Sequence, residues 1–457
     1  MDAVTLESIP APLAPLFSSP QRMAARPVSF FYKLGLGLVT LAKVLLPCVY
    51  IALTALAGYG VYYFATHYFA DVWTWHIPGR FGPLVKVVCS CTPLLVGTIV
   101  VFFMVKPIFA RRANQMQPIT LNPDHEPVFH ALVHRICEIV GAPAPREIRL
   151  NCEVNASAGF RRGFRSFFGN DLVLTVGLPL LAGLSMREIS GVIAHEFGHF
   201  TQGAAMRLSY IIRRVNFWFA RVIYQRDSWD ATLDDWAESE DGWVAFMVGC
   251  ARPGVWFSRL ILKGLMLVGH AITGFLMREM EYDADRCEIH VAGSEGFEWA
   301  MFHLAEAGAT TNWLHHEMAK TWRASHRLPD NIPMLVAHHV AQMSDDARAK
   351  VAAGVCTGKS GWLDTHPSHG DRIAAARRIG APGLFTEDAH AIDLLQNFYT
   401  LGKFVTLAHY EDDLEIPTTD DFLIPVEAVL NQPEPAESAP EPAPIAQAPR
   451  WQGPPTS

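Results

Sequence analysis

Two long apolar runs lie near the amino terminus of the chain. Residues 44–70 contain no Asp, Glu, Lys or Arg, and residues 87–105 form a second uncharged run. A helix of about 20 apolar residues is long enough to cross the hydrocarbon core of a bilayer. A pair of buried core helices is the alternative, but runs of this length without charge favour the membrane. The pattern therefore predicts a transmembrane helical hairpin over 30–112, with spans at about 44–66 and 87–105.

Basic residues around these runs predict how the hairpin is oriented. Cytoplasmic segments next to membrane spans have an excess of Lys and Arg, and here the cations are concentrated at the two outer ends. We therefore expect a multi-pass protein of the cell (inner) membrane whose main domain faces the cytoplasm. The outer ends contain Arg22, Arg26, Lys33, Lys106, Arg111 and Arg112, whereas the connection contains Arg80, Lys86 and Asp71.

The rest of the chain predicts a mainly α (α+β) domain with a small β-sheet. Residues 147–154 and 171–176 are apolar and β-branched, as strands are, and 124–140 has a helical pattern. Another helix begins at Ser185, a candidate N-cap with Glu188 as its capping-box partner. The predicted segments are a flexible lead at 1–29, this domain at 113–384 with apolar, membrane-associated helices at 209–278, a C-terminal extension at 385–431 and a disordered Pro-rich tail at 432–457.

The composition favours a membrane protein and argues against other classes. Only 18% of the residues are charged and the mean hydropathy is +0.15, whereas globular domains average about 25% charged residues. The net charge of −8 argues against nucleic-acid binding, which usually requires a basic surface. The eight cysteines contain no CxxC pair, so neither a disulfide framework nor a cysteine zinc ribbon is expected. The acidic stretch at 227–242 is predicted to be a solvated loop.

The segment AHEFGHF at 194–200 contains the first candidate chemistry. His195 and His199 are four residues apart, so a helix directs both imidazoles to one point, as two ligands of a tetrahedral zinc. Glu196 lies about 100° further round the helix, where it can contact a water on the metal instead of the metal itself. A carboxylate in that position can act as a general base.

A catalytic zinc needs a third protein ligand. The metzincin pattern would place glycine and histidine where this chain has Gln202 and Ala205, so that class is excluded. The segment REMEYDADRC at 278–287 offers acidic alternatives, and spacing alone does not choose between Glu279 and Glu281. Glu281 and Asp285 share a helix face, so one can bind zinc while the other orients a ligand.

Together, GVIAHEFGHF and EYDAD resemble the HtpX-like and CAAX-prenyl-protease-type integral-membrane zinc metallopeptidases, which have a zincin-like domain. NASAGF (155–160), LVLTVGLPLL (172–181) and THPSHGDRI (365–373) extend the resemblance over roughly 106–380. The resemblance implies one zinc per chain and a protein or peptide substrate. It implies His195, His199 and Glu281 as ligands, Glu196 as general base, His366 near the oxyanion, Asp285 and Arg372 as a supporting pair, and Asn155 and Ala156 on an edge strand that binds substrate.

The function predicted from these patterns is a membrane-anchored zinc endopeptidase, which would work in membrane-protein quality control. The first alternative is a catalytically silent membrane scaffold or binding module with a structural zinc site, although a scaffold needs no general base at Glu196. The second is a zinc store or transporter, which would require ligands inside the spans, whereas the histidines cluster outside them. No pattern in the sequence predicts an oligomeric state.

Overall fold

A computed structural model describes residues 11–19, 22–23, 30–109, 119–166, 169, 171–201, 204–224, 242–358, 366–414, 416 and 422–431. The predicted tail at 432–457 and almost all of the predicted acidic loop at 227–242 lie outside these residues.

The described chain is mainly α-helical with a small mixed sheet, as the sequence predicts. Within these residues the α-helices are Ala14–Ser18, Phe30–Tyr63, Phe69–Thr74, Gly82–Phe109, Pro127–Val140, Leu178–Gly183, Met186–Gly198, Ala204–Tyr224, Gly242–Ser325, Ile332–Ala341, Asp345–Thr357, His369–Ile379, Phe398–Ala408 and Val426–Leu430. The strands are β1 (Ile119–Thr120), β2 (Glu147–Asn151), β3 (Ala156–Phe160), β4 (Leu172–Gly177), β5 (Leu328–Pro329) and β6 (Leu423–Ile424).

Among the described residues, three helical stretches are long and apolar enough to cross a membrane: Leu34–Thr74, Gly82–Ile108 and Arg252–Ser325. The first two coincide with the predicted hairpin and contact each other, for example where Tyr50 Oη donates to the Met104 carbonyl at 2.9 Å. The third begins within the predicted apolar helices at 209–278 and continues beyond them. Its helix is interrupted at Gly293, where φ is 82°.

The predicted flexible lead at 1–29 is partly wrong. Ala14–Ser18 forms a helical turn. Leu13 and Leu16 are fully buried in the core of the domain predicted at 113–384, called the soluble domain below. Arg135 Nε donates to the Leu16 carbonyl at 3.1 Å, and the Met23 amide donates to the Ile139 carbonyl at 2.8 Å. Among the prolines and small residues of the lead, Leu13 and Leu16 are three positions apart, so both can lie on one buried face of a short helix.

This N-terminal contact determines the course of the apolar helix pair. Residues 11–23 precede the pair, whereas the helix Pro127–Val140 that they contact follows it. The chain therefore leaves the soluble domain through one apolar helix and returns to the same domain through the other, as a hairpin must.

The main sheet has the strand order β1-β2-β4-β3. Strands β2 and β4 are parallel, with Ile148 opposite Leu174, and β3 is antiparallel to β4, with Ala158 opposite Leu174. The predicted strands at 147–154 and 171–176 correspond to β2 and β4. Strand β3, with the sequence ASAGF, has no apolar alternation to reveal it, and it lies at the edge of the sheet.

The helix Met186–Gly198, called the motif helix below, packs against Gly242–Ser325, the long helix. The predicted capping box is confirmed: Glu188 N donates to Ser185 Oγ at 3.2 Å, and Ser185 N donates to Glu188 Oε2 at 2.9 Å. Two glycines on the motif helix, Gly191 and Gly198, face the long helix directly.

We expect Gly191→Ala to lower the free energy of unfolding by about 1–3 kcal/mol, because overpacking a close contact costs that much. Its added Cβ would lie 2.9 Å from Ala292 Cβ and 3.1 Å from Glu288 Cγ. Gly308→Ala is the matched control, since a Cβ on this helical glycine meets no atom within 4 Å. That change should stabilise the fold by about 0.5–1 kcal/mol. Thermal unfolding in detergent distinguishes the two, and equal shifts would contradict the packing.

Candidate metal centre

The structure brings His195, His199 and Glu281 together in the interior. His195 Nε2 is 3.5 Å from Glu281 Oε2, and His199 Nε2 is 3.8 Å from Glu281 Oε1. All three residues are buried. Glu279, the alternative that spacing left open, is exposed on another side of the long helix. The histidines end the motif helix, where His199 still has helical backbone angles, so the four-residue spacing works as expected.

This donor set fits zinc. Zinc–nitrogen and zinc–oxygen bonds of about 2.0–2.2 Å at tetrahedral angles separate ligand atoms by about 3.3–3.6 Å. The nitrogen–oxygen separations of 3.5 and 3.8 Å agree with that range within a few tenths of an ångström. Burial acts to lower the pKa of His195, but hydrogen bonds with Asp285 and Glu281 outweigh it and raise that pKa to about 10. The carboxylates thus favour a positive charge at this point, which a divalent cation supplies.

A second layer of groups orients His195. Asp285 Oδ1 lies 3.1 Å from His195 Nδ1, and Arg372 Nε donates to Asp285 Oδ2 at 3.0 Å. A carboxylate on Nδ1 fixes the tautomer and leaves the Nε2 lone pair for a metal. Arg372 comes from the helix His369–Ile379. The structure therefore brings together the supporting pair that the family resemblance implies.

Glu288 was not singled out from the sequence, yet it also faces His195. Its Oε2 atom lies 3.5 Å from His195 Nδ1, and its Oε1 atom is buried without a hydrogen-bond partner among the described residues. The spacing could have revealed it, because Glu281, Asp285 and Glu288 lie at positions i, i+4 and i+7 of one helix face.

Glu196 lies between the candidate metal ligands and the sheet. Its Oε2 atom accepts a hydrogen bond of 3.2 Å from the Ala158 amide on the edge strand β3. Burial raises the pKa of the Glu196 carboxyl. The raised pKa would suit a general base, which works best with a pKa near the working pH, and the Ala158 amide holds the carboxylate in place.

The two predicted substrate-binding residues have different positions at β3. The Asn155 carbonyl accepts from the Gly177 amide and is therefore used by the neighbouring strand β4. Hydrogen bonding alternates along an antiparallel pair, so the backbone groups of Ala156 and Ala158 turn away from β4, towards the open edge. Ala156 thus has the orientation that an added strand requires.

His366 and Arg213 lie beside the candidate ligands, on the side nearer to solvent. His366 Nδ1 is 3.3 Å from Glu281 Oε1, although the His366 side chain is 64% exposed. Arg213 Nη2 is 3.3 Å from the same oxygen. In the sequence, Arg213 is one of several cations that interrupt an apolar stretch. No spacing rule connects it with the segment AHEFGHF.

The site combines a buried His-His-Glu donor set, a neighbouring glutamate and an edge strand. This combination is typical of metallopeptidases. Comparison with known proteins gives the family: the profile of Peptidase family M48 matches residues 123–379. The chain belongs to this family.

The chain is also similar to proteins called Protease HtpX. It is 27% identical to that of Ectopseudomonas mendocina over 46% of this chain and 60% of the relative. It is 24% identical to that of Acinetobacter baylyi over 47% and 60%, and 23% identical to that of Acinetobacter baumannii over 63% and 84%. The chain thus spans about 60% of the length of the first two relatives. No solved structure matches it.

Proposed function

We propose that the protein is a membrane-anchored zinc endopeptidase that hydrolyses peptide bonds of protein substrates and works in the quality control of membrane proteins. The observation that supports this best is the convergence of His195, His199 and Glu281 at zinc-like separations, with Glu196 directly beside them. Membership of a peptidase family and similarity to proteins called Protease HtpX support the reaction class. The apolar helical stretches, which are long enough to cross a membrane, support the membrane setting.

In this proposal each residue has a chemical task. His195, His199 and Glu281 would hold one zinc ion, which would supply Lewis acidity and make water more acidic at the centre. Glu196 takes a proton from the attacking water and later delivers it to the leaving nitrogen. The open edge of β3 binds the substrate backbone as an added strand through Ala156. Asp285 and Arg372 keep His195 in its ligating tautomer.

The rival function is a silent scaffold with a structural zinc. Structural zinc sites usually have four protein ligands, whereas catalytic sites have three and an open position. Among the described residues, His195, His199 and Glu281 form a group of three buried donors, whereas the side chain of His366 beside Glu281 is 64% exposed. This arrangement favours catalysis over a structural role.

For its location, we propose a multi-pass inner-membrane protein whose catalytic domain faces the cytoplasm. The basic outer flanks and the hairpin course of the first two apolar helices support it, because the N-terminal segment and the catalytic domain must then share one side. The lipid bilayer is accordingly a partner of the apolar helices.

Glu196→Gln should retain zinc and lose hydrolysis, because Glu196 is beside the donor set without belonging to it. General-base contributions are about 10²–10⁴-fold, and the loss should lie in that range. Turnover of an unfolded protein substrate and zinc content by elemental analysis give the answer, with Glu279→Gln as a surface control. Near-wild-type turnover of Glu196→Gln would refute the assignment.

Zinc stoichiometry tests the ligand set independently of activity. Glu281→Ala should lose most of its zinc, and Glu279→Ala should bind like wild type because this side chain is exposed. Asp285→Ala should bind about 10–100-fold more weakly, as is typical when a group supporting a ligand is removed. A Glu279→Ala protein without zinc would mean that the ligand set is wrong.

Cysteine labelling tests the orientation. In a variant without its native cysteines, Trp73→Cys in the hairpin connection should react with an impermeant maleimide added to intact cells. Ser368→Cys, which caps the helix His369–Ile379 near the catalytic residues, should react only after the cells are opened. The opposite pattern would place the catalytic domain outside the cytoplasm.

A further inference from the structure

Arg213 contacts two of the three proposed zinc ligands. It lies on Ala204–Tyr224, the first α-helix after the motif helix. Its Nη2 atom is 3.3 Å from Glu281 Oε1, 3.1 Å from His199 Nε2 and 3.2 Å from His199 Nδ1. This helix thus reaches the centre in addition to the motif helix, the long helix and the helix His369–Ile379.

The contact with His199 is compatible with a metal on that residue. Nearly equal distances to both ring nitrogens place Nη2 above the plane of the imidazole. An in-plane approach at these distances would bring Nη2 into collision with the Cε1 atom between the nitrogens. Histidine binds metals through an in-plane lone pair, so Arg213 leaves the metal-binding direction of Nε2 open.

Exposure places Arg213 on the solvent side of the centre. Its side chain is 38% exposed, whereas the Glu281 side chain beside it is 5% exposed. Arg213 and the exposed His366 approach the same carboxylate oxygen of Glu281 from different elements. A substrate that reaches the metal ligands from solvent therefore meets these two residues.

Electrostatics argues against a purely structural task for Arg213. A fixed cation next to Glu281 opposes the binding of a divalent cation there, because like charges repel more strongly in a site of low dielectric constant. The same cation is favourable, however, once negative charge develops at the centre, where a preorganised donor is worth far more than it is in water.

We propose that Arg213 is a catalytic residue whose guanidinium donates hydrogen bonds to the carbonyl oxygen of the scissile peptide bond. This proposal rests on the proposed peptidase function. As the water oxygen bonds to the carbonyl carbon, the π electron pair moves to the carbonyl oxygen and Glu196 takes the proton of the water. The carbon–nitrogen bond then breaks, the electron pair returns to the carbonyl, and the proton passes to the leaving nitrogen.

The test compares Arg213→Gln, Arg213→Lys and Arg214→Gln in the full-length protein. Arg214 is the matched control, because it is the next residue on the same helix and contacts the Tyr210 ring at 5.9 Å instead of the ligands. The measurements are zinc content, kcat and KM with an unfolded protein substrate, and the affinity of a phosphinic peptide that mimics the charged transition state.

We expect Arg213→Gln to retain full zinc and a KM within a few-fold of wild type, with kcat reduced by about 10²–10³-fold, as for other oxyanion donors. Its affinity for the phosphinic peptide should fall by a similar factor. Arg213→Lys should recover part of both, since it restores the charge, and Arg214→Gln should match wild type.

Three results would overturn the role of Arg213 while leaving the peptidase function intact. Loss of zinc in Arg213→Gln would show that the residue holds the ligands. Tighter zinc binding with undiminished kcat would show that it obstructs the centre. Unchanged kcat and inhibitor affinity would show that it does not contact the reacting carbonyl. A wild-type protein without Glu196-dependent hydrolysis would instead overturn the proposed function, and this role with it.

Discussion

The close contact between the motif helix and the long helix is the constraint on which the site depends. Gly191 and Gly198 have no side chain at this contact, and a Cβ on Gly198 would lie 3.2 Å from the Ala284 backbone. Only at this separation do the carboxylates of the long helix reach the imidazoles of the motif helix. Asp285, one residue beyond Ala284, reaches His195 Nδ1 at 3.1 Å. The positions of the candidate ligands are therefore a consequence of backbone packing between these two helices.

The same contact creates an electrostatic problem, because it buries several ionisable groups in an apolar core. Such groups cost free energy unless they are paired. Arg372 pairs with Asp285, which in turn contacts His195. The charges of these three buried groups therefore compensate one another. Within the described part of the chain, the groups that compensate Glu281 are the partly exposed Arg213, the exposed His366 and the two buried histidines. A divalent cation at this point resolves the imbalance, which is a physical reason for a metal centre besides the spacing of the motif.

Much of this arrangement could be predicted from the sequence, because it depends on local periodicity. Helical spacing pairs His195 with His199, and the capping box gives the start of their helix. Glu281 was available only from the resemblance, since one acidic turn offers several carboxylates and spacing does not say which faces inward. The edge strand β3 is built of small residues without alternation. Arg213 reaches the centre through the packing of the separate helix Ala204–Tyr224, a relation between distant residues that no local pattern encodes.

The first apolar helix, Phe30–Tyr63, also supports the centre. Leu36, on the first apolar helix, packs in a buried cluster with Ile212, Met277 and Met280. Ile212 directly precedes Arg213, and Met280 directly precedes Glu281. Because these neighbours share a backbone, the position of the ligand and that of the arginine beside it both depend on contact with the first apolar helix. The first apolar helix of the hairpin is therefore also part of the scaffold that positions the centre.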